Sequence, residues 1–194
     1  KTGGHLIASF RSFFSDEYLK VYADAQPHHL TDCFGLTYDR FTKPTNVTLA
    51  SKLADFPEHP AVYDWMELPE QVTGEVLCTY EHPAWGGIAA VTKNQFGDGE
   101  AVYLACRFEQ SALEILLQKL FADWNIPLPQ AQFPLIIRKG TNQLGKEITY
   151  YMNFSEDVQR FPLSEDGTEL FSGNTLAKGS ELTLEKWDVK IIEN

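Results

Sequence analysis

The stretch GIAAVTKNQFGDGEAVYLACRFEQSALEILLQKLFADW, residues 87–124, decides the fold of the surrounding chain. It contains two short apolar runs, 88–92 and 101–106, that are bounded by turn residues as strands are. Between them, Gly97, Asp98 and Gly99 tolerate the positive φ values of a tight turn. The sequence therefore predicts an antiparallel hairpin that leads directly into the next element.

That next element is an amphipathic helix. Its apolar side chains recur every three or four residues and form one stripe: Leu113, Leu116, Leu117, Leu120, Phe121 and Trp124. Ser111 and Glu114 have the spacing of a capping box, which predicts that the helix begins at Ser111. A stripe of this kind is typical of core packing, so we assign no cofactor to it.

Upstream of the hairpin the sequence predicts further strands and a short helix. The runs 36–41 and 75–80 favour strands, and the run 28–34 favours a short helix closed by Gly35. Residues 1–125 are therefore predicted to form an α/β domain.

The first ten residues have an unusual order. Thr2-Gly3-Gly4 is the kind of tripeptide that ends a helix, and the apolar run Leu6–Phe10 that follows predicts a strand buried on both faces. We expect the helix end to belong to a longer polypeptide. A strand without its neighbours leaves N–H and C=O groups unpaired, so we also expect self-association or partial disorder at the N-terminus.

A proline-rich connector separates this domain from a second one. Pro127, Pro129 and Pro134 interrupt residues 124–134 and favour extended chain. The segments that follow are short, alternate in polarity and are separated by Gly, Asn, Asp and Ser turns: 135–140, 147–154, 158–163, 168–171, 181–185 and 188–193. Residues 126–194 are therefore predicted to form a small antiparallel β sandwich or barrel.

The composition excludes several classes of partner. A net charge of −11 repels the phosphates of nucleic acid and the anionic surface of a membrane. No apolar run approaches the ~18 residues that span a bilayer. Cys33, Cys78 and Cys106 are odd in number and widely spaced, which indicates buried, reduced thiols in a cytoplasmic protein.

Carboxylates are the most plentiful chemical groups, and three local pairs are candidates for catalysis. These pairs are Asp16-Glu17, Glu67 with Glu70, and Glu156-Asp157. A glycosidase needs two carboxyl groups that face each other across a sugar. All three pairs lie in polar, loop-like stretches, so the sequence predicts that they are solvated surface charges.

Histidine and cysteine offer two further candidates. Adjacent helical residues such as His28 and His29 point about 100° apart, which suits one metal ion poorly, and no HExxH or CxxC pattern occurs. Cys33 lies four residues after His29, so the two could meet on one face of a helix. The surrounding sequence has no strand-to-helix elbow with flanking glycines, which argues against a nucleophile there.

Motif residues follow one another in a distinctive order: Gly3-Gly4, Asp16-Glu17, Leu30, Asp32, Gly35, Leu36, Ala90-Val91-Thr92, Asn94, Phe96-Gly97, Gly99, Ala101 and Tyr103. This order resembles the trimerisation domain of glycoside hydrolase family 42 β-galactosidases. The tail segments 150–163 and 188–194 are similar to the closing β domain of that family. The resemblance covers nearly the whole chain.

The resemblance implies the second half of a glutamine-amidotransferase-like, flavodoxin-like α/β trimerisation domain, followed by the C-terminal β domain. It implies that the parent enzyme hydrolyses terminal β-D-galactosides with retention, through two glutamates of a β/α barrel that is absent from this sequence. No catalytic, cofactor-binding or metal-binding residue is therefore assigned. The portion is expected to bind other copies of itself, as a trimer in the parent, and to pack beside the barrel that binds the galactoside.

Two other functions stay open from the sequence. A free-standing carbohydrate-binding or adaptor module would use exposed aromatic platforms, for which Trp65, Tyr80, Trp85 and Trp187 are candidates. A cysteine-dependent amidotransferase-like enzyme would use Cys33 as its nucleophile.

Overall fold

A computed structural model describes residues 2–128 and 133–194. These residues form two compact units, 1–126 and 127–194, and each unit is described by itself. Pro129, one of the three prolines of the expected connector, lies outside the described residues, as does Lys1.

The first unit is built mainly of strands. In chain order they are β1 (His5–Ser9), β2 (Phe41–Thr42), β3 (Thr48–Ser51), β4 (Val62–Glu67), β5 (Glu75–Glu81), β6 (Ala89–Phe96), β7 (Gly99–Leu104) and β8 (Cys106–Phe108). The main sheet has the order β1-β7-β6-β5-β3, and a smaller sheet has the order β2-β4-β8. The expected hairpin is confirmed, because Phe96 pairs with Gly99 across a turn in which Gly97 has a φ of +62°.

Two helices accompany these strands. A 3-10 turn (His28–Leu30) runs into α1 (Thr31–Phe34), which ends at Gly35 in the left-handed conformation, as the sequence predicts. The longer helix α2 (Gln110–Asp123) is also confirmed, but the capping box is wrong. The N-cap is Glu109, two residues before the expected Ser111, and the Ser111 hydroxyl donates to the Glu109 carboxylate.

The hairpin β6–β7 carries apolar side chains on both faces, and each face packs against a different helix. One face contributes Val102 and Leu104 to the cluster that contains Leu116 and Leu120 of α2. The other face contributes Tyr103 to the cluster around α1 and the segment after it. Full burial of a leucine contributes about 1.5–3 kcal/mol, so the predicted stripe of α2 stabilises the fold by packing.

Other expectations for this unit are wrong. The segment expected as strand 36–41 forms only isolated bridges, Gln26 with Tyr38 and Thr37 with Glu70, and regular pairing starts at Phe41. Strand β1 forms, but it lies at the edge of the main sheet, where Leu6 is 38% exposed, and is not buried on both faces.

The α/β description holds only coarsely. The described part of the unit is mostly β, and among its paired strands only β1 and β7 run parallel. The flavodoxin-like architecture is therefore not confirmed by the fold alone. None of the described helices is long and apolar enough to cross a bilayer.

The second unit is a small antiparallel β structure, as the sequence predicts. Its strands are β9 (Leu135–Thr141), β10 (Glu147–Asn153), β11 (Gln159–Pro162), β12 (Gly167–Glu169), β13 (Thr175–Leu176), β14 (Glu181–Leu184) and β15 (Val189–Glu193). A five-stranded sheet with the order β13-β12-β15-β10-β9 and the pair β11-β14 contribute to one core. Tyr151, Leu184 and Ile192 are among its buried members.

Candidate functional site

The most distinctive feature of the first unit is the loop of residues 10–22, which follows strand β1. Three of its residues have left-handed backbone conformations, with φ values of +60° at Arg11, +61° at Phe13 and +62° at Leu19. Such conformations are costly for residues with a side chain and persist only where surrounding contacts impose them. The loop must therefore be held by specific interactions.

The base of the loop is held by the carboxylate of Glu67, the last residue of β4. Glu67 is 0% exposed. Its Oε1 accepts a hydrogen bond of 2.7 Å from the backbone N–H of Arg11 and one of 3.3 Å from the Trp65 indole. Its Oε2 accepts a hydrogen bond of 2.8 Å from the Tyr103 hydroxyl. Because each of these three contacts is a hydrogen-bond donor, the buried charge is compensated.

Burial raises the pKa of the Glu67 carboxyl, and the donors from Arg11 and Tyr103 oppose that rise. The Tyr38 hydroxyl lies 3.4 Å from that of Tyr103, and burial raises the pKa of both phenols. The carboxyl group thus sits among neutral hydroxyls in the core. It has the environment of a structural anchor and not that of an acid that faces a second acid across a substrate.

The Arg11 side chain adds a second attachment at the base of the loop. Its guanidinium lies 4.9 Å from the centre of the Trp65 ring and 5.5 Å from that of Phe14. Trp65 in turn stacks on Phe41 at 4.4 Å. The half-buried Trp65 therefore supports the loop through its ring and its N–H, and does not serve as a free platform for a sugar.

The tip of the loop is folded back on itself. The Asp16 carboxylate accepts hydrogen bonds of 2.9 Å from the backbone N–H groups of Tyr18 and Lys20. A bridge between Ser15 and Val21 closes the loop behind the tip. As a result, two large side chains project into solvent from the tip: Tyr18 is 83% exposed and Leu19 is 84% exposed.

The three pairs of acids occupy unlike environments. The prediction of solvated surface charge is wrong for Glu67, which is buried and holds the base of the loop, a role that the sequence pattern does not reveal. The available signal is its position in the run WMELP, where its neighbours Met66 and Leu68 are both core residues. Glu70 pairs with Arg40. Asp16 caps the loop tip.

The remaining acids are exposed. Glu17 extends from the loop tip into solvent, and Glu156 and Asp157 lie on the surface of the second unit. Their sequence assignment as surface charges is confirmed.

The histidine pair forms a stack on the surface. His28 lies between Tyr22 and His29, with ring centres 3.6 Å apart on each side, and its Nδ1 is 2.8 Å from the Asp24 carboxylate. The hydrogen bond to His28 lowers the pKa of Asp24. Among residues 2–128 and 133–194, no group of three or more His, Cys, Asp and Glu side chains could hold a metal ion.

Cys78 and Cys106 are buried thiols, as the sequence predicts, whereas Cys33 is only partly buried. Burial raises the pKa of Cys33, and it raises the pKa of Cys78 to about 11 and that of Cys106 to about 12. A reactive cysteine needs the opposite shift. The environment of Cys33 therefore disfavours the role of nucleophile.

The proposed aromatic platforms divide between core and surface. Tyr80 is a core residue whose hydroxyl donates to the backbone carbonyl of Glu67 at 2.8 Å, so its assignment as a platform is wrong. Trp85 packs against the core of the first unit. Trp187 is largely exposed in a turn of the second unit.

Comparison with known protein families gives two matches. A family model described as "Beta-galactosidase trimerisation domain" matches residues 1–127. A second model, described as "Beta-galactosidase C-terminal domain", matches residues 142–194.

Curated proteins with related sequences extend well beyond this chain. The β-galactosidase bgaB of Geobacillus kaustophilus is 26% identical over 192 residues, which cover 98% of this chain and 28% of that protein. The β-galactosidase LacA of Lactobacillus acidophilus is 23% identical over 199 residues, which cover 100% of this chain and 29% of that protein. The chain spans less than a third of the length of the curated relatives it matches.

Solved structures share the fold. The chain resembles β-galactosidase from Bacillus circulans sp. alkalophilus with a TM-score of 0.83 and 20% identity, over 99% of this chain and 29% of that chain. It resembles a catalytic mutant of Gan42B, a GH42 β-galactosidase from G. stearothermophilus, with a TM-score of 0.81 and 21% identity, over 99% and 28% of the two chains.

Proposed function

Because this chain belongs to the family of β-galactosidase trimerisation domains, we propose that it is the non-catalytic, subunit-assembling portion of a family 42 β-galactosidase. The observation that carries the proposal is the match of residues 1–127 to the trimerisation-domain model. In this proposal the chain binds other copies of itself, and three copies form a closed ring in the parent enzyme.

The parent enzyme, in the same proposal, hydrolyses terminal β-D-galactosides with retention. Its reacting carboxylates and its galactoside pocket belong to a β/α barrel, in the part of the relatives that this chain does not span. A retaining glycosidase needs two carboxyl groups about 5–5.5 Å apart across the sugar. The candidate acids of this chain are committed elsewhere, since Glu67 is an anchor in the core and Glu70 pairs with Arg40.

The domain division belongs to the proposal as well. Residues 1–125 would form the α/β trimerisation domain, of flavodoxin-like descent, and residues 126–194 the C-terminal domain. The two compact units support this division, and the parallel pairing of β1 with β7 supports the α/β descent. The three free cysteines support a cytoplasmic location, where thiols stay reduced.

A paired assay of one purified preparation tests this function. Sedimentation is expected to show self-association, and a nitrophenyl β-galactoside is expected to be hydrolysed no faster than in buffer alone. Turnover that copurifies with the chain would contradict the non-catalytic assignment. A monomer at every concentration would contradict the assembly role.

A further inference from the structure

The exposed apolar side chains of the first unit are concentrated in the loop of residues 10–22. Phe13, Tyr18, Leu19 and Val21 are all exposed, and the two at the tip are more than 80% exposed. The other large apolar side chains that are exposed in the described part of this unit are half exposed or less: Leu6, Phe41, Tyr63, Val76 and Ile126. Tyr18 and Leu19 therefore stand apart from the ordinary apolar surface of the unit.

The tip is held in one conformation by contacts that are independent of any partner. Glu67 fixes Arg11 at the base, and Asp16 fixes the backbone of Tyr18 and Lys20 at the tip. Leu19 is held in a left-handed conformation that a leucine rarely adopts. A fixed apolar tip loses little conformational entropy when it binds, which is the property of an interface anchor.

We propose that Tyr18 and Leu19 anchor this chain to a second copy of itself. The inference rests on the proposed function and names the surface that carries it out. The trimerisation-domain match spans the loop, so another copy is the partner that the domain is built to bind. In a ring of three copies each contact joins two different surfaces, so one protruding tip per copy suffices to close the ring.

The charge of the chain supports an apolar contact between copies. Two copies with a net charge of −11 repel each other at a distance, so their association has to be driven by buried apolar surface. Added salt screens the repulsion and is expected to strengthen the association. A basic partner would show the opposite dependence on salt.

The test compares the association of three full-length chains by sedimentation: wild type, the double variant Tyr18→Ser/Leu19→Ser, and the control Leu144→Ser. Leu144 is matched to the tip, because it is 81% exposed and its backbone N–H donates to the Asn142 side chain in a similar turn. The double variant is expected to weaken association at least about 30-fold, the scale of an interface hot spot. The control is expected to stay within about threefold of wild type.

A second variant separates binding from folding. Leu19→Gly removes the apolar side chain and places glycine at a φ of +62°, where glycine has no steric penalty. We expect its melting temperature to match or exceed that of wild type while its association weakens. Unchanged association of Leu19→Gly would mean that Leu19 has only a structural role and would overturn the proposal.

The outcomes distinguish this inference from the function on which it rests. Weakened association of both tip variants, with a normal Leu144→Ser control, supports the anchor. Wild-type association of the double variant overturns the anchor and leaves the assembly role intact. A wild-type chain that stays monomeric overturns the assembly role itself, and the anchor with it.

Discussion

The backbone N–H of Arg11 donates a hydrogen bond of 2.7 Å to the carboxylate of Glu67, which lies 56 residues later in the chain. This contact joins the loop that follows β1 to the end of β4. It explains how a loop with three left-handed residues keeps one conformation. It also gives the buried carboxylate of Glu67 a structural role that does not involve catalysis.

Replacement of this acid tests the anchor. In Glu67→Gln one carboxylate oxygen becomes an amide NH₂, which faces either the N–H donors of Arg11 and Trp65 or the Tyr103 hydroxyl. A buried polar group that loses its partner costs about 1–3 kcal/mol, so the variant is expected to unfold at a lower urea concentration by that free energy. The matched control Glu70→Gln changes an exposed pair with Arg40 and is expected to leave the urea midpoint unchanged. Equal midpoints for the two variants would refute the anchor.

The contribution of Glu67 to the free energy of unfolding should change with pH in a direction that distinguishes it from an exposed acid. The pKa of Glu67 is raised by burial, so the folded state binds this proton more tightly than the unfolded state does. The contribution of Glu67 is therefore full below the ordinary glutamate pKa of about 4.3 and is lost as pH rises through the folded value. The difference in free energy of unfolding between wild type and Glu67→Gln should fall as pH rises from about 4 toward neutrality. Its slope against pH should correspond to the titration of one carboxyl group.

Glu81 supplies the opposite control for this experiment. Its pKa is lowered, first by the hydrogen bond from His59. Its contribution is present above the ordinary glutamate pKa and is lost as pH falls through the lower folded value. Over about pH 3–5 the advantage of wild type over Glu81→Gln should therefore rise with pH. Parallel slopes for the two variants would contradict the assignment of Glu67.

The end of α1 offers a test of the fold. Gly35 has a φ of +63°, and a Cβ there would lie 2.6 Å from the side chain of Asn94. Gly87 also has a positive φ, but a Cβ there would meet nothing within 4 Å. We expect Gly35→Ala to cost about 2 kcal/mol or more and Gly87→Ala about 1 kcal/mol in urea unfolding. A smaller loss at Gly35 than at Gly87 would contradict the close packing of this turn against Asn94.

Thiol reactivity tests the absence of a cysteine nucleophile. At pH 8 the raised pKa values of Cys78 and Cys106 leave little thiolate, so their alkylation in the folded chain is expected to be more than about 100-fold slower than that of an ordinary thiol. Cys33, whose pKa is also raised, should react more slowly than free glutathione. Mass spectrometry of timed iodoacetamide reactions follows each site. Rapid modification of Cys33 would favour the amidotransferase-like alternative.

Local patterns predicted the elements in which local and tertiary preferences agree. The Gly97 turn, the glycine that ends α1 and the apolar stripe of α2 each carry their signal within a few residues, and each is found in the structure. The N-cap of α2 differs from the expectation, because Glu109 and not Ser111 occupies it. Periodicity does not locate a helix end, and the Ser111 hydroxyl donates to the Glu109 carboxylate, so the capping box does not form.

Features that depend on distant partners were missed. The polarity of Glu67 predicts a surface position, but Arg11 and Tyr103, from separate parts of the chain, donate to its carboxylate and help to make its burial tolerable. The run 36–41 looks like a strand, yet its partners Gln26 and Glu70 offer single bridges and no ladder. Leu6 was expected to be buried because apolar character alone does not show which strand lies at a sheet edge.

The central claim is that this chain assembles subunits, and the most direct test is the mass of the purified chain in solution. Sedimentation velocity over about two decades of concentration should show the 22.0 kDa monomer giving way to a trimer as concentration rises, by mass action. A single 22.0 kDa species at every concentration, in low and high salt alike, would contradict the claim.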